Sequence, residues 1–297
     1  MTARQKALAF GLGTVLIWST VATAFKITLS HMDPLQLLLC ASTVSVTLLG
    51  IILAVQGRLD KLSMSAREYA YCALLGVLNP FLYYAVLFKA YDLLPAQEAQ
   101  PLNFTWAITL SLLSVPLLGQ RLNKGELAAI LVSYLGVLII STHGDLTSLQ
   151  FTNGEGVALA LVSTVIWALY WIGNTRNQCD PVAGLFFNFL FGLPLILGAT
   201  LFFSELPPLN AHGLLGALYI GLFEMGISFV FWLTALRLAA QPQGGGTARI
   251  ANLIFLSPFL SLFFISRFAG ETIRTATFVG LAFIVAGNML MQRAGKR

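Results

Sequence analysis

Ten apolar runs, each about 20 residues long, follow one another through this chain with only short polar connections between them. They span roughly 7–28, 34–56, 69–91, 95–118, 124–142, 155–175, 182–203, 212–238, 245–268 and 275–292. At about 1.5 Å of rise per residue, a helical run of this length crosses a hydrocarbon layer about 30 Å thick. Only 10% of the residues are charged, too few to cover a water-facing surface. In lipid every backbone N–H and C=O must be paired within the protein, and runs of this length achieve that as helices. The expected fold is an all-α integral membrane protein with ten transmembrane helices.

The runs are related to one another. Val15-Leu16-Ile17-Trp18 in the first returns as Val165-Ile166-Trp167 in the sixth. Gly119-Gln120 returns as Gly270-Glu271, and Leu135-Gly136-Val137 as Ala286-Gly287-Asn288. Offsets of about half the chain divide it into two five-helix repeats, 1–145 and 150–297. Five crossings bring the chain to the opposite side of the membrane, so the second repeat enters inverted. Inverted repeats are a signature of secondary transporters, in which two similar halves alternate around a midplane site. Duplication is also an economical way to build a bundle, so the inversion carries the transport reading.

Assigning the loops alternately to the two sides tests this topology. One side collects Arg4, Lys6, Arg58, Lys61, Arg67, Arg121, Lys124, Arg176, Arg237, Arg249, Arg293, Lys296 and Arg297. The other keeps only Lys26, Lys89, Arg267 and Arg274. Cytoplasmic loops attract Lys and Arg, so both termini are expected inside. The same bias accounts for the net charge of +5, and no basic face with stacking aromatics is left outside the membrane to bind nucleic acid. Arg4, Lys6 and Ala22-Thr23-Ala24 imitate a cleavable signal peptide, but this stretch is matched by the internal segment ending at Trp167. The first run is read as a permanent span.

Glu224 stands near the middle of the eighth run, where an acid costs on the order of 3 kcal/mol even on lenient insertion scales. It is expected to face a polar cavity or a partner. The bland alternative is a neutral glutamic acid that locks two helices together by hydrogen bonding. Aligning Gly76 with Gly221 sets Asn79 opposite Glu224, so two polar groups occupy mirrored midplane positions. Helical spacing adds companions on the same faces: Tyr83 four residues after Asn79, and Ser228 and Phe231 four and seven after Glu224. Asn103 and Trp106 are three apart, Trp167 and Trp171 four apart, and Trp18 follows Thr14 by four. Trp18, Trp106 and Trp167 lie near mid-span, away from the interfacial belts where tryptophans usually gather. Trp232, Tyr219, Tyr69 and Tyr71 lie nearer helix ends or lack a polar companion, and are read as packing or belt residues.

The candidate substrate-binding set is therefore Trp18, Asn79, Tyr83, Asn103, Trp106, Trp167, Trp171 and Glu224. An aromatic lining with a few amides and one acid suits an amphipathic small molecule, and ring faces also attract an ammonium group. Glu224 is the candidate for proton coupling. Pro80, Pro101 and Pro258 bend helices near these residues, and Gly244-Gly245-Gly246 is a candidate hinge. Arg249 is read as an inside-positive anchor, with attraction of a carboxylate as the alternative.

Catalysis finds little support. His31, His143 and His212 are too dispersed to define a metal site, and no cofactor motif is present. Cys40, Cys72 and Cys179 lie in or beside apolar runs and read as small buried hydrophobes. The expected partners are a small-molecule substrate, the lipid bilayer and a coupling proton. Export of drugs or organic cations stands as a second class, and a membrane-embedded scaffold or enzyme with a dry, packed interior as a third.

Two five-helix halves, the paired Ile-Trp segments of runs one and six, and Gly-Gln/Glu after runs four and nine resemble the drug/metabolite transporter superfamily, EamA type. Ile17-Trp18-Ser19-Thr20, Asn103-Phe104-Thr105-Trp106 and Ile166-Trp167-Ala168-Leu169-Tyr170 further resemble its bacterial aromatic amino-acid exporters. The resemblance implies efflux across the bacterial inner membrane through a central cavity, with Trp18, Trp106 and Trp167 near it. Glu224 has no counterpart carried over from those exporters.

Overall fold

The computed structural model describes residues 1–119, 123–147, 151–174, 176–241, 250 and 252–294. Regular structure among them is entirely helical. In chain order the α-helices are α1 (Ala3–Leu29), α2 (Pro34–Val55), α3 (Ala66–Gly76), α4 (Tyr83–Leu93), α5 (Ala96–Asn103), α6 (Trp106–Leu118) and α7 (Lys124–Ser141). They continue as α8 (Gly154–Asn174), α9 (Pro181–Phe203), α10 (Ala211–Tyr219), α11 (Ser228–Ala240), α12 (Ser257–Phe268) and α13 (Thr275–Ala294). A kinked segment, Val77–Leu82, joins α3 to α4, and a π-helical segment, Ile220–Ile227, joins α10 to α11.

Among the described residues, eight helical stretches are long and apolar enough to cross a membrane: Ala3–Leu29, Pro34–Val55, Ala66–Leu93, Lys124–Ser141, Gly154–Asn174, Pro181–Phe203, Ala211–Ala240 and Thr275–Ala294. The run at 95–118 divides into α5 and α6. Thr105 donates its hydroxyl to the carbonyl of Leu102 at 2.8 Å, a local bond that competes with the helix ladder where the helix stops. The run at 245–268 is described from 250 and 252 onward and holds the shorter apolar helix Leu253–Phe268. Gly244–Gly246 and Arg249 lie outside the described residues.

Helix starts follow local chemistry. Asp33 caps α2 through the N–H groups of Leu35 and Gln36, with Pro34 at the first helical position, where its missing N–H removes nothing from the ladder. Ser65 with Glu68, and Asn123 with Glu126, form capping boxes at α3 and α7.

The helices group into two compact units, Met1–Phe81 with Asn177–Ala269, and Leu82–Arg176 with Gly270–Arg297. Each draws helices from both halves of the sequence. In the first, α1 packs on α11 and α12, while α2 packs on α9, α10 and the Ile220–Ile227 segment. In the second, α8 packs on α4, α5 and α6, and α7 lies along α13. That last pair depends on glycine. A Cβ on Gly280 would fall 2.5 Å from the carbonyl oxygen of Gly136, and one on Gly287 would fall 2.7 Å from that of Ala129. Between membrane helices, where burial against lipid gains little, such close backbone approach is the main source of association.

Candidate functional site

In the first unit, Asn79 lies at a kink with non-helical backbone angles, and Glu224, the position that aligns with it, lies in a π-helical segment. A π turn shifts carbonyls out of the regular ladder, and such turns recur at functional sites. The two interruptions are built differently.

At Val77–Leu82 the cause is Pro80. It cannot donate to the ladder, and its ring drives the preceding residue out of the helical region. Asn79 accordingly has extended backbone angles, φ −145° and ψ 117°. Gly192 of α9 leaves room for the proline: a Cβ there would lie 2.9 Å from the Pro80 ring. The Asn79 side chain is fully buried, and neither its amide oxygen nor its nitrogen has a hydrogen-bond partner among the described residues. Nearly all buried amides are paired, so an unpaired one requires an explanation.

At Ile220–Ile227 the backbone stays helical and the turn is held from outside. Ser45 of α2 donates to the carbonyl of Met225 at 2.8 Å, and Ser228 donates to that of Glu224 at 2.6 Å. Gly221 and Gly226 let α2 approach: a Cβ on either would fall 2.5 Å from Ala41 or Leu48. Glu224 itself is buried, with 9% of its surface exposed. Phe231, on the same face by spacing, packs against Phe10 of α1 with ring centroids 5.1 Å apart.

Trp18 is half-buried, and its ring lies 5.4 Å from that of Trp232. Two residues along α1, the Thr20 hydroxyl is 2.6 Å from that of Tyr219. Trp232 and Tyr219 had no polar companion in the sequence pattern, yet both flank the Trp18 region of α1. Trp232 follows Glu224 by eight residues, a two-turn spacing that is the signal for it.

The second unit gathers Tyr83, Asn103, Trp167 and Trp171. Tyr83 stacks on Trp167 at 4.4 Å between ring centroids, and Trp167 meets Trp171 edge-on at 5.8 Å. The Tyr83 hydroxyl donates to Asn103 Oδ1 at 3.4 Å, and Asn103 Nδ2 donates to Ser163 Oγ at 3.0 Å. The indole Nε1 of Trp171 is buried without a hydrogen-bond partner among the described residues. Trp106 begins α6, half-buried and three residues beyond Asn103. The second unit therefore offers aromatic surface, an amide and an indole donor, and the first an acid, an amide and an indole pair.

Cys40, Cys72 and Cys179 are free thiols. Burial, with Cys72 beside it, pushes the Cys179 thiol up to about 12, so it stays protonated and unreactive at neutral pH. Sequence reasoning overlooked Glu98. This carboxyl, fully buried in α5, takes bonds from Arg274, His143 and Thr152. Its partners are far away in sequence, and no local pattern announces them.

Apolar helices of spanning length, interrupted at buried polar residues, define a multi-pass membrane protein. Residues 5–142 and 154–293 each match the EamA-like transporter family, and the chain belongs to that family. An uncharacterized transporter of Clostridium kluyveri is 24% identical over 99% of this chain and 95% of its own length. The aromatic amino acid exporter YddG of Ancylobacter novellus is 24% identical, with 96% of each chain covered. A protein named as a probable terminal-alkyne amino-acid exporter, from Streptantibioticus cattleyicolor, is 25% identical over 94% of this chain and 91% of its own. A solved crystal structure, 20% identical and aligned over 99% of both chains, shares the fold with a TM-score of 0.68.

Proposed function

We propose that this transporter exports amino acids, aromatic ones among them, or related small metabolites across a bacterial inner membrane by alternating access. The reading includes ten transmembrane helices in two inverted repeats, 1–145 and 150–297, with both termini cytoplasmic. The Lys/Arg bias and the doubled sequence segments support that topology. The names of the two exporter relatives support the substrate class.

Asn79 carries the proposal. A fully buried amide with no partner among the described residues, at a break its own proline creates, is unfavourable unless something else binds there. In this reading Glu224 takes the substrate ammonium group or a coupling proton. Asn79, Asn103 and Tyr83 orient polar groups, and Trp18, Trp106, Trp167 and Trp171 flank the apolar body.

Counterflow into proteoliposomes loaded with a mixed amino-acid pool tests this reading. Labelled aromatic amino acid should accumulate transiently against the unlabelled pool, and Asn79→Leu should reduce that accumulation. No exchange of any amino acid, with exchange of an organic cation instead, would transfer the protein to the drug-exporter class.

A further inference from the structure

The charged cluster around Glu98 is formed by residues other than the candidate substrate-binding ones. Its carboxyl is almost completely enclosed, with 1% of the side chain exposed. One oxygen, Oε1, has three partners: Arg274 Nη1 donates at 2.9 Å, the Thr152 hydroxyl donates at 3.0 Å, and His143 Nε2, which donates in the tautomer protonated there, lies at 3.0 Å. The other oxygen, Oε2, is buried with no hydrogen-bond partner among the described residues. An ionised carboxylate spreads its charge over both oxygens, so this arrangement solvates only half of it. Arg274 pairs with Oε1, while Oε2 is left without a donor among the described residues.

His143 connects this group to water. Its side chain is 33% exposed, and it sits in the connection between α7 and α8 with a positive φ of 55°. Its Nε2 also lies 2.7 Å from the Thr152 hydroxyl. An imidazole exposed on one side and in hydrogen-bond reach of a buried carboxyl on the other has the geometry of a proton relay.

We infer that Glu98 is a proton-binding residue of this transporter, loaded and unloaded through His143. A proton from the aqueous phase binds Nδ1 of the neutral imidazole and gives imidazolium. The proton on Nε2 then passes across the 3.0 Å gap to Glu98 Oε1. This leaves a neutral carboxyl and a neutral imidazole protonated on Nδ1, and the net change is one proton taken up by Glu98.

Other charges lie on the elements packed against α5. The segment before α13 brings Arg274, which pairs with the carboxyl, and Glu271, which accepts the N–H groups of Ala96 and Gln97 at the start of α5. The α7–α8 connection brings Asp145, and the first turn of α8 brings Glu155. In α4, Lys89 and Asp92 pair with each other. Gln97 joins α5 to Arg274 N–H and the Thr277 hydroxyl, so a change of charge at Glu98 bears directly on the bonds that hold α5 to the entry of α13. That is the coupling a driven transporter requires between proton binding and helix movement.

The inference rests on the transport reading for its purpose, and its test separates the two. Infrared difference spectra of the reconstituted protein between acid and neutral pH need no substrate. The wild type should show a protonated-carboxyl band that Glu98→Gln removes, while Glu224→Gln leaves the Glu98 band in place. Its persistence in Glu98→Gln overturns the assignment, whether or not a substrate has been found. With substrate, proteoliposomes enclosing a pH-sensitive dye should show substrate-linked proton movement, which Glu98→Gln abolishes. His143→Gln should slow it, and added imidazole should restore the rate. Unchanged proton movement in Glu98→Gln contradicts the inference, as does substrate exchange in the wild type without any proton movement. Because glutamine keeps an acceptor for Arg274, a merely structural Glu98 would leave all these signals unmoved.

Discussion

The interruptions at Val77–Leu82 and Ile220–Ile227 occupy matching places in the two sequence repeats and solve one problem in opposite ways. The first breaks its own backbone with Pro80 and leaves Asn79 extended, neutral and unpaired among the described residues. The second keeps helical angles throughout, uses Gly221 and Gly226 to draw α2 close, and relies on Ser45 and Ser228 to satisfy displaced carbonyls. The contrast separates two tasks that repeat-related sites share. One site holds a polar group by isolating it, the other by propping up the backbone that carries it. Burying either group costs free energy unless a partner reaches it, and at the second interruption the bonds from Ser45 and Ser228 go to backbone carbonyls while the Glu224 side chain is buried.

Substitutions sharpen the contrast. Glu224→Gln keeps the shape and removes the charge, and should weaken substrate affinity by about 10- to 100-fold, the worth of a hydrogen bond to a charged group. Equilibrium binding in nanodiscs measures this, and an unchanged affinity would make Glu224 a helix lock. Gly221→Val forces α2 away from the second interruption and should destabilise the fold by about 1–3 kcal/mol. A lower melting temperature in detergent is the readout.

Asn79→Leu should act in the opposite sense at the first interruption. Removing a buried, unpaired amide should raise stability by about 1 kcal/mol while lowering transport. Loss of both stability and transport would mean that the amide is structurally paired after all. The smallest effect is expected at Trp171→Phe, which removes the unpartnered indole N–H and should lower affinity by about threefold, with melting unchanged.

Much of this was legible in the sequence. Helix positions followed from run length and apolarity, and a spacing of four set Trp167 and Trp171 on one face of α8, but their meeting with Tyr83 of α4 and Asn103 of α5 comes from packing between helices, which no local spacing shows. The division of run 95–118 was not legible, because a hydropathy pattern reads the run as continuous through Phe104 and Thr105, where the helix stops. Nor was Glu98. It lies in the first turn of α5, like an ordinary polar helix end, and its partners are 45, 54 and 176 residues away. Trp232, read from the sequence as a packing or belt residue, is buried against Trp18.

The central claim is that Glu224 reads the ammonium group of an amino-acid substrate. Competition binding of an aromatic amino acid against its deaminated analogue, in wild type and in Glu224→Gln, tests it most directly. The account predicts that the wild type prefers the amino acid and that the variant loses this preference while still binding the apolar body. If the variant discriminates as well as the wild type does, the ammonium is read elsewhere and the assignment of Glu224 is wrong.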